Sequence, residues 1–84
     1  AIAWAGNEVD LFHGGQLLRL DRLVRARQGD CWWVLDYKSA ARPEADAALR
    51  EQLRAYRAAV SAVYPGQDVR AAFLTGEGRL VPLE

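Results

Sequence analysis

The tripeptide Asp36-Tyr37-Lys38 places a carboxylate and an ammonium two residues apart. Because side chains two residues apart on a strand face the same side, Asp36 and Lys38 are predicted to point together. A carboxylate binds hard divalent cations through oxygen, and a neighbouring ammonium can position a water molecule or stabilise charge on a phosphate. The pair therefore suits phosphate-ester hydrolysis; the alternative is a weakly stabilising ion pair at a strand end.

A second acidic residue, Asp21, interrupts an apolar stretch. Asp is disfavoured within strands, so its presence there requires compensation. An approximate register places Arg22 opposite Asp36, and a β-bulge would bring Asp21 onto the same face as Asp36. Two carboxylates that converge there would form an oxygen-rich site for Mg²⁺ or Mn²⁺. The alternative is that Asp21 pairs with Arg19 or Arg25 on a solvated face.

Two further polar residues, Gln52 and Tyr56, are four positions apart and therefore lie on one side of the predicted helix. Gln can bond to a base edge or a phosphate, and Tyr can stack on a base or donate its hydroxyl. The alternative is that Tyr56 belongs to the apolar core. Arginines on the other faces of this helix are typical of a solvated surface and can also meet phosphates. They are Arg50, Arg54 and Arg57.

The hydrophobic pattern predicts the elements that must position these side chains. Alternating or aromatic-rich segments between Gly-containing turns indicate strands, and apolar residues spaced by three and four indicate a helix. A strand, a crossover helix and a further strand imply at least one parallel pair. The predicted fold class is α/β, with a mixed, mostly antiparallel sheet, one long helix and the order β-β-β-α-β-β. The strands are predicted at residues 7–12, 17–26, 31–37, 69–75 and 79–83, the helix at 45–64, and the turns at 13–16, 28–30 and 76–78.

Length and composition limit the classes of protein. The 84 residues allow one domain, residues 1–84, because a second hydrophobic core would not fit. The 11 basic residues balance 11 acidic ones, which excludes a strongly basic nucleic-acid coat but not a local basic face. The single cysteine, Cys31, excludes an internal disulfide and a cysteine-rich zinc site, and it suits a reducing, cytoplasmic compartment. No apolar run approaches the roughly 20 residues of a membrane helix.

Three segments follow one another in a recognisable order: Leu20-Asp21-Arg22-Leu23, Trp33-Val34-Leu35-Asp36-Tyr37-Lys38-Ser39, and Gln52-Leu53-Arg54-Ala55-Tyr56. Together they resemble the C-terminal nuclease domain of RecB- and AddA-type helicase–nucleases, within the PD-(D/E)xK superfamily. That pattern is an Asp-Arg-containing strand, a strand ending in Asp-Tyr-Lys-Ser/Thr, and a helix with Gln and Tyr four apart. The resemblance runs from Glu8 to Thr75, although Leu18 stands where the family usually has Gly. It implies a restriction-endonuclease-like core.

The resemblance implies roles for the residues of the two strands. Asp21 and Asp36 would be the metal-binding carboxylates, and the backbone carbonyl of Tyr37 would be a further ligand. Lys38 would be the catalytic lysine, which orients the attacking water or stabilises the developing charge. The implied cofactor is Mg²⁺, with Mn²⁺ as a substitute.

The resemblance also implies a reaction and a setting. Gln52 and Tyr56 would support the site and meet DNA. The reaction would be Mg²⁺-dependent phosphodiester hydrolysis by a DNA exonuclease or endonuclease that acts in double-strand-break repair and recombination. The implied partners are DNA, a helicase motor in the same parent chain and other repair-complex subunits. The segment is expected to be the C-terminal core of that parent, without the upstream helix that supplies a further metal-binding His or Glu in larger members.

Two other functions are compatible with the same residues. A non-catalytic nuclease-like module would use them to bind DNA or a partner chain. A small structural domain would carry Asp21, Asp36 and Lys38 by coincidence.

Overall fold

The computed structural model describes residues 2–27 and 31–83, and its elements follow the predicted order. The predicted turn at residues 28–30 lies outside the described residues. The strands are β1 (Ile2–His13), β2 (Gln16–Ala26), β3 (Cys31–Lys38), β4 (Asp68–Thr75) and β5 (Leu80–Pro82), and the helix is α1 (Ala47–Val63).

All five strands form one sheet in sequence order. β3 and β4 are parallel, and the other neighbouring pairs are antiparallel. Parallel neighbours require a long crossover, which α1 provides as it connects β3 to β4 and packs on one face of the sheet. The predicted α/β class, with a mixed, mostly antiparallel sheet and one long helix, is confirmed, and it is consistent with a restriction-endonuclease-like fold.

The first hairpin turns where it was predicted to turn. Gly14 and Gly15 have φ angles of 59° and 78°, and His13 pairs with Gln16 across them. Two successive left-handed residues are the requirement of a type I′ turn, which Gly satisfies without steric cost.

The first strand begins five residues earlier than the sequence predicts. The predicted strand starts after Gly6, and Gly is depleted within strands. In the structure, a Cβ atom at Gly6 would lie only 2.7 Å from the ring of Trp4 and 3.2 Å from Val9. The missing side chain therefore makes room for the Trp4 ring, and the strand continues through the glycine.

Helix α1 begins two residues later than predicted. Residues Pro43–Ala45 form a 3-10 turn, and Asp46 then adopts an extended backbone. One carboxylate oxygen of Asp46 accepts hydrogen bonds from the amides of Ala48 at 2.9 Å and Leu49 at 3.3 Å. This side-chain cap fixes the start of the helix. The helix ends at Val63, before a Pro-Gly pair that cannot continue it.

The register between β2 and β3 differs by one residue from the prediction. Arg22 lies opposite Leu35, not opposite Asp36. Asp21 therefore lies at the level of Asp36, next to the last regular pair of the ladder, because of the β2–β3 register itself.

The core lies between α1 and the central strands. Its largest fully buried side chains are Leu20, Leu23, Val34, Leu53, Val60 and Phe73. At the α1 C-terminal end, the ring of Trp32 stacks on Tyr64 with centroids 4.2 Å apart, and its Nε1 donates to Gln67 at 2.7 Å. In the described part of the chain, α1 is neither long nor apolar enough to cross a membrane.

Candidate active site

Asp21 leaves the regular β2–β3 ladder and uses its side chain in place of the backbone. One of its carboxylate oxygens accepts a hydrogen bond from the backbone amide of Tyr37 at 2.8 Å. The alternative pairing with Arg19 does not form, because the Arg19 guanidinium bonds to Asp10 at 2.9 Å. The hydrogen bond from the Tyr37 amide to Asp21 supplies the compensation that an Asp within a strand requires. It also ties the Asp21 carboxylate to the end of β3.

The Asp36 carboxylate is buried at the same level. Its side chain is 5 % exposed, so it is not part of a surface ion pair. Its Oδ2 atom is fully buried and accepts no hydrogen bond. Burial, and then a hydrogen bond shared with Asp21, raise the pKa of Asp36 to about 6, against the opposing influence of Lys38. A buried carboxylate oxygen that accepts no hydrogen bond is costly in a folded chain, and its lone pairs are open to a further donor or a cation.

Lys38 faces the same side of β3 as Asp36, as predicted from their spacing. Its Nζ lies 3.4 Å from Asp36 Oδ2, close enough for an ion pair but without hydrogen-bond geometry. The Lys38 side chain is 27 % exposed, so part of it contacts solvent while its ammonium contacts the buried carboxylate. It can therefore meet a charged group that approaches from outside.

The helix contributes unequally to this cluster. Tyr56 packs against the hydrophobic core and is half-buried. Burial and then the negative charge of Asp36 raise the pKa of the Tyr56 hydroxyl, while Lys38 lowers it, so the hydroxyl lies within electrostatic reach of the carboxylates. Gln52 lies one helical turn away and is exposed, and it makes no hydrogen bond to any described residue.

The donor set suits a hard divalent cation. Mg²⁺ usually binds through one or two carboxylates and keeps several water molecules, so the pair Asp21 and Asp36 is sufficient in number. No third Asp, Glu, His or Cys joins them among residues 2–27 and 31–83. The orphaned Asp36 Oδ2 provides the open lone pairs that a cation would occupy. The residues present therefore fit the metal that the sequence suggested.

Sequence reasoning located the carboxylates and the lysine but missed two backbone features. The amide of Tyr37 donates to Asp21, whereas the sequence resemblance implies a role only for the Tyr37 carbonyl. Glu8 adopts a left-handed backbone with φ 51° beside Asp21 on the neighbouring strand. No sequence signal indicates the second feature, because Gly and Asn are the residues that favour this conformation.

Comparison with known proteins agrees with this architecture. A sequence profile of the PD-(D/E)XK nuclease superfamily matches residues 18–81, which include both carboxylates, the lysine and the whole of α1. A search of curated protein sequences found no match.

Proposed function

The chain belongs to the PD-(D/E)XK nuclease superfamily, and on that premise we propose that it is the Mg²⁺-dependent DNA nuclease core of a RecB- or AddA-type helicase–nuclease. Proteins of this superfamily are generally nucleases that hydrolyse phosphodiester bonds and typically use divalent metal ions. The proposal extends this general statement to the metal, the residues and the biological setting.

A single observation carries the proposal. The buried Asp36 Oδ2 has no hydrogen-bond partner, although it lies beside a second carboxylate and 3.4 Å from an ammonium. A structural core would satisfy such an atom or replace it with an apolar group. A divalent cation would satisfy it. The burial of an oxygen that accepts no hydrogen bond, and has only an ion pair with Lys38, therefore supports cation binding more than a purely structural role.

The metal ligands proposed are Asp21, Asp36 and the backbone carbonyl of Tyr37. Residues of an antiparallel ladder exchange their amide and carbonyl with the same neighbouring strand. Because the Tyr37 amide donates towards β2, its carbonyl is directed towards β2 as well, on the side of Asp21. When bound, the cation would lower the pKa of a water molecule and neutralise charge on the scissile phosphate.

The remaining side chains act on water and phosphate. Lys38 presents an ammonium at the solvent side of Asp36, where it can orient the attacking water or stabilise the charge that develops on phosphate oxygens. Tyr56 lies on α1 within electrostatic reach of the carboxylates, and it would limit the access of water from that side. Gln52, exposed on the same side of the helix, is available to a DNA backbone or base.

The biological setting rests on the sequence resemblance. We propose that a helicase motor in the same parent chain feeds DNA to this core, that other repair-complex subunits assist it, and that residues 1–84 are the C-terminal core of that parent. The process would be double-strand-break repair and recombination in the cytoplasm.

The proposal is tested by nuclease assays on the longest natural chain that contains these residues. Asp36→Asn keeps the side-chain volume but removes the charge, and we expect Mg²⁺-dependent cleavage of linear DNA to fall at least about a thousandfold. Asp68→Asn is the matched control, because Asp68 is an exposed partner of Arg70 at the far end of β4. Equal cleavage by the two variants would refute the assignment.

A non-catalytic nuclease-like module that binds DNA or a partner chain is the second candidate. Only two acidic groups converge within the described residues, and the net charge of the chain is zero. This candidate predicts that DNA is bound in EDTA, that no divalent cation binds at Asp36, and that DNA remains intact when Mg²⁺ is added. Cation binding together with cleavage excludes it.

A further inference from the structure

The β1–β2 ribbon reverses the direction of its side chains beside Asp21. On a regular strand, residues three apart face opposite sides. Leu20 and Leu23 are nevertheless buried in the same hydrophobic core. On β1, a Cβ at Gly6 would point at Val9, so these two positions also share a face. Both strands therefore change face together, between the Asn7–Arg22 and the Val9–Leu20 pairs.

Glu8 lies at this reversal and has a left-handed backbone. Its φ angle is 51°, and among residues 2–27 and 31–83 it is the only non-glycine with a positive φ. A long side chain in this region strains the backbone and persists only where the surrounding structure imposes it. Its neighbour across the ribbon is Asp21, which lies between the same two pairs.

The reversal changes what Asp21 can reach. On a regular strand, the Asp21 side chain would stand perpendicular to the sheet. Instead, its carboxylate lies near the plane of the strands, where it accepts the Tyr37 amide of β3. That amide would otherwise bond to the β2 backbone. We infer that the left-handed backbone of Glu8 is a positioning device that turns Asp21 towards Tyr37 and Asp36.

The inference assigns this role to the backbone of Glu8 and not to its carboxylate. The Glu8 side chain is exposed and makes no hydrogen bond or ion pair with any described residue. A residue that adopts the left-handed region easily should therefore replace it. The inference deepens the proposed nuclease function, since Asp21 is one of the proposed ligands, but the geometry of Asp21 can be measured without metal or DNA.

The test is hydrogen exchange of the Tyr37 amide in the metal-free protein. We compare Glu8→Gly, Glu8→Asn, Glu8→Ala and Glu8→Val, with the Phe73 amide as the internal reference for global opening. For Glu8→Gly and Glu8→Asn, we expect the ratio of the Tyr37 to the Phe73 exchange rate to stay within about threefold of the wild-type ratio. It should rise through Ala to about tenfold or more for Val, which tolerates the left-handed region poorly. Because the reference amide reports overall stability, a less stable variant still gives a valid ratio.

A control position shows whether the rank order belongs to Glu8. Gln16 is exposed on the same ribbon and has an ordinary strand backbone. Gln16→Val and Gln16→Gly should both leave the ratio of Tyr37 to Phe73 exchange at the wild-type value. Equal ratios for Glu8→Gly and Glu8→Val would overturn the inference. Unchanged exchange but lost cleavage in Glu8→Gly would assign the role to the carboxylate and overturn it as well. Protection that follows the predicted order without cleavage in the parent protein would reject only the nuclease function.

Discussion

Two buried polar side chains on the same face of β3 differ in whether their polar atoms have hydrogen-bond partners. Trp32 and Asp36 are four residues apart, and both are almost fully buried. The Nε1 of Trp32 donates to Gln67 at 2.7 Å, and its ring stacks on Tyr64. The Oδ2 of Asp36 accepts no hydrogen bond and has only the Lys38 ammonium at 3.4 Å, and burial raises the pKa of its carboxyl to about 6. We call these the aromatic end and the carboxylate end of β3.

The difference shows how to identify a site in a small domain. A buried polar group costs free energy unless a partner satisfies it, and most native groups are satisfied. The aromatic end follows this rule and needs no further explanation. The carboxylate end departs from it at the strand end where Asp21 and Lys38 also meet. A departure of this kind persists where the group has another role, such as binding a cation.

Lys38→Met is expected to have the largest effect on the comparison. It removes the ammonium beside the carboxylate end and should lower kcat about 10²- to 10³-fold, because transition-state charge loses its stabilisation. Gln67→Ala, at the aromatic end, should leave kcat within about twofold. Steady-state cleavage by the two variants in the parent protein measures both values. Similar losses at the two ends would remove the distinction between them.

The pH dependence of stability should differ between wild type and Asp36→Asn. The folded-state pKa of Asp36 is raised from 3.8 to about 6, so the protonated form is favoured by folding. Its stabilising contribution is present below pH 4 and is lost as the pH rises through 6, by roughly 3 kcal/mol. Urea unfolding of the metal-free protein at pH 4 to 8 should show that Asp36→Asn becomes the more stable of the two as the pH rises. A constant difference in the free energy of unfolding between the two proteins across this pH range would contradict the account. Addition of Mg²⁺ at pH 8 should raise the free energy of unfolding of the wild type again.

Gln67→Ala sharpens the comparison from the other end. The substitution leaves Trp32 Nε1 buried without its acceptor and should lower the free energy of unfolding by about 1–2 kcal/mol. Urea unfolding at a single pH measures this loss. The same variant should bind divalent cations like the wild type, since the aromatic end is not part of the site. A loss of cation binding would show that the two ends are coupled.

The smallest effect is expected for a matched pair of tyrosines. Tyr56→Phe keeps the ring in the core but removes the hydroxyl within electrostatic reach of Asp36, and we expect cleavage to fall about fivefold, as for the loss of one weak polar interaction. Tyr64→Phe removes a hydroxyl from the ring that stacks on Trp32 and should leave cleavage unchanged. Steady-state assays distinguish the two, and equal rates would show that the Tyr56 hydroxyl has no role.

The elements of the fold follow from local chemistry. The Gly-Gly turn, the spacing of apolar residues in α1 and the Pro-Gly pair after it all act within a few residues. The order of the strands and the parallel pair follow from these elements, because a crossover helix leaves few topologies. The start of β1 could not be predicted, because the reason for Gly6 is the ring of Trp4 that covers it.

The site was predictable by residue type but not by contact. The spacing of Asp36 and Lys38 on one strand fixes their common direction, so their proximity could be inferred. The register of β2 on β3 depends on the turn between them, and an error of half a residue in its centre shifted the register by one residue and misplaced Asp21. The Trp32–Gln67 bond joins residues 35 positions apart, and no local pattern indicates it. The left-handed backbone of Glu8 likewise depends on its neighbours and not on its own preference.

Calorimetric titration of the metal-free chain with Mn²⁺ tests the role of the orphaned Asp36 oxygen most directly. We predict that the wild type binds one ion and, at pH 6, releases about half a proton as it does so, because Asp36 is half-protonated at that pH. Titrations in two buffers of different ionisation enthalpy measure this release. Asp36→Asn should show neither binding nor proton release. Equal binding by both proteins, or binding by the wild type without proton release, would contradict the assignment of the carboxylate end as a cation site.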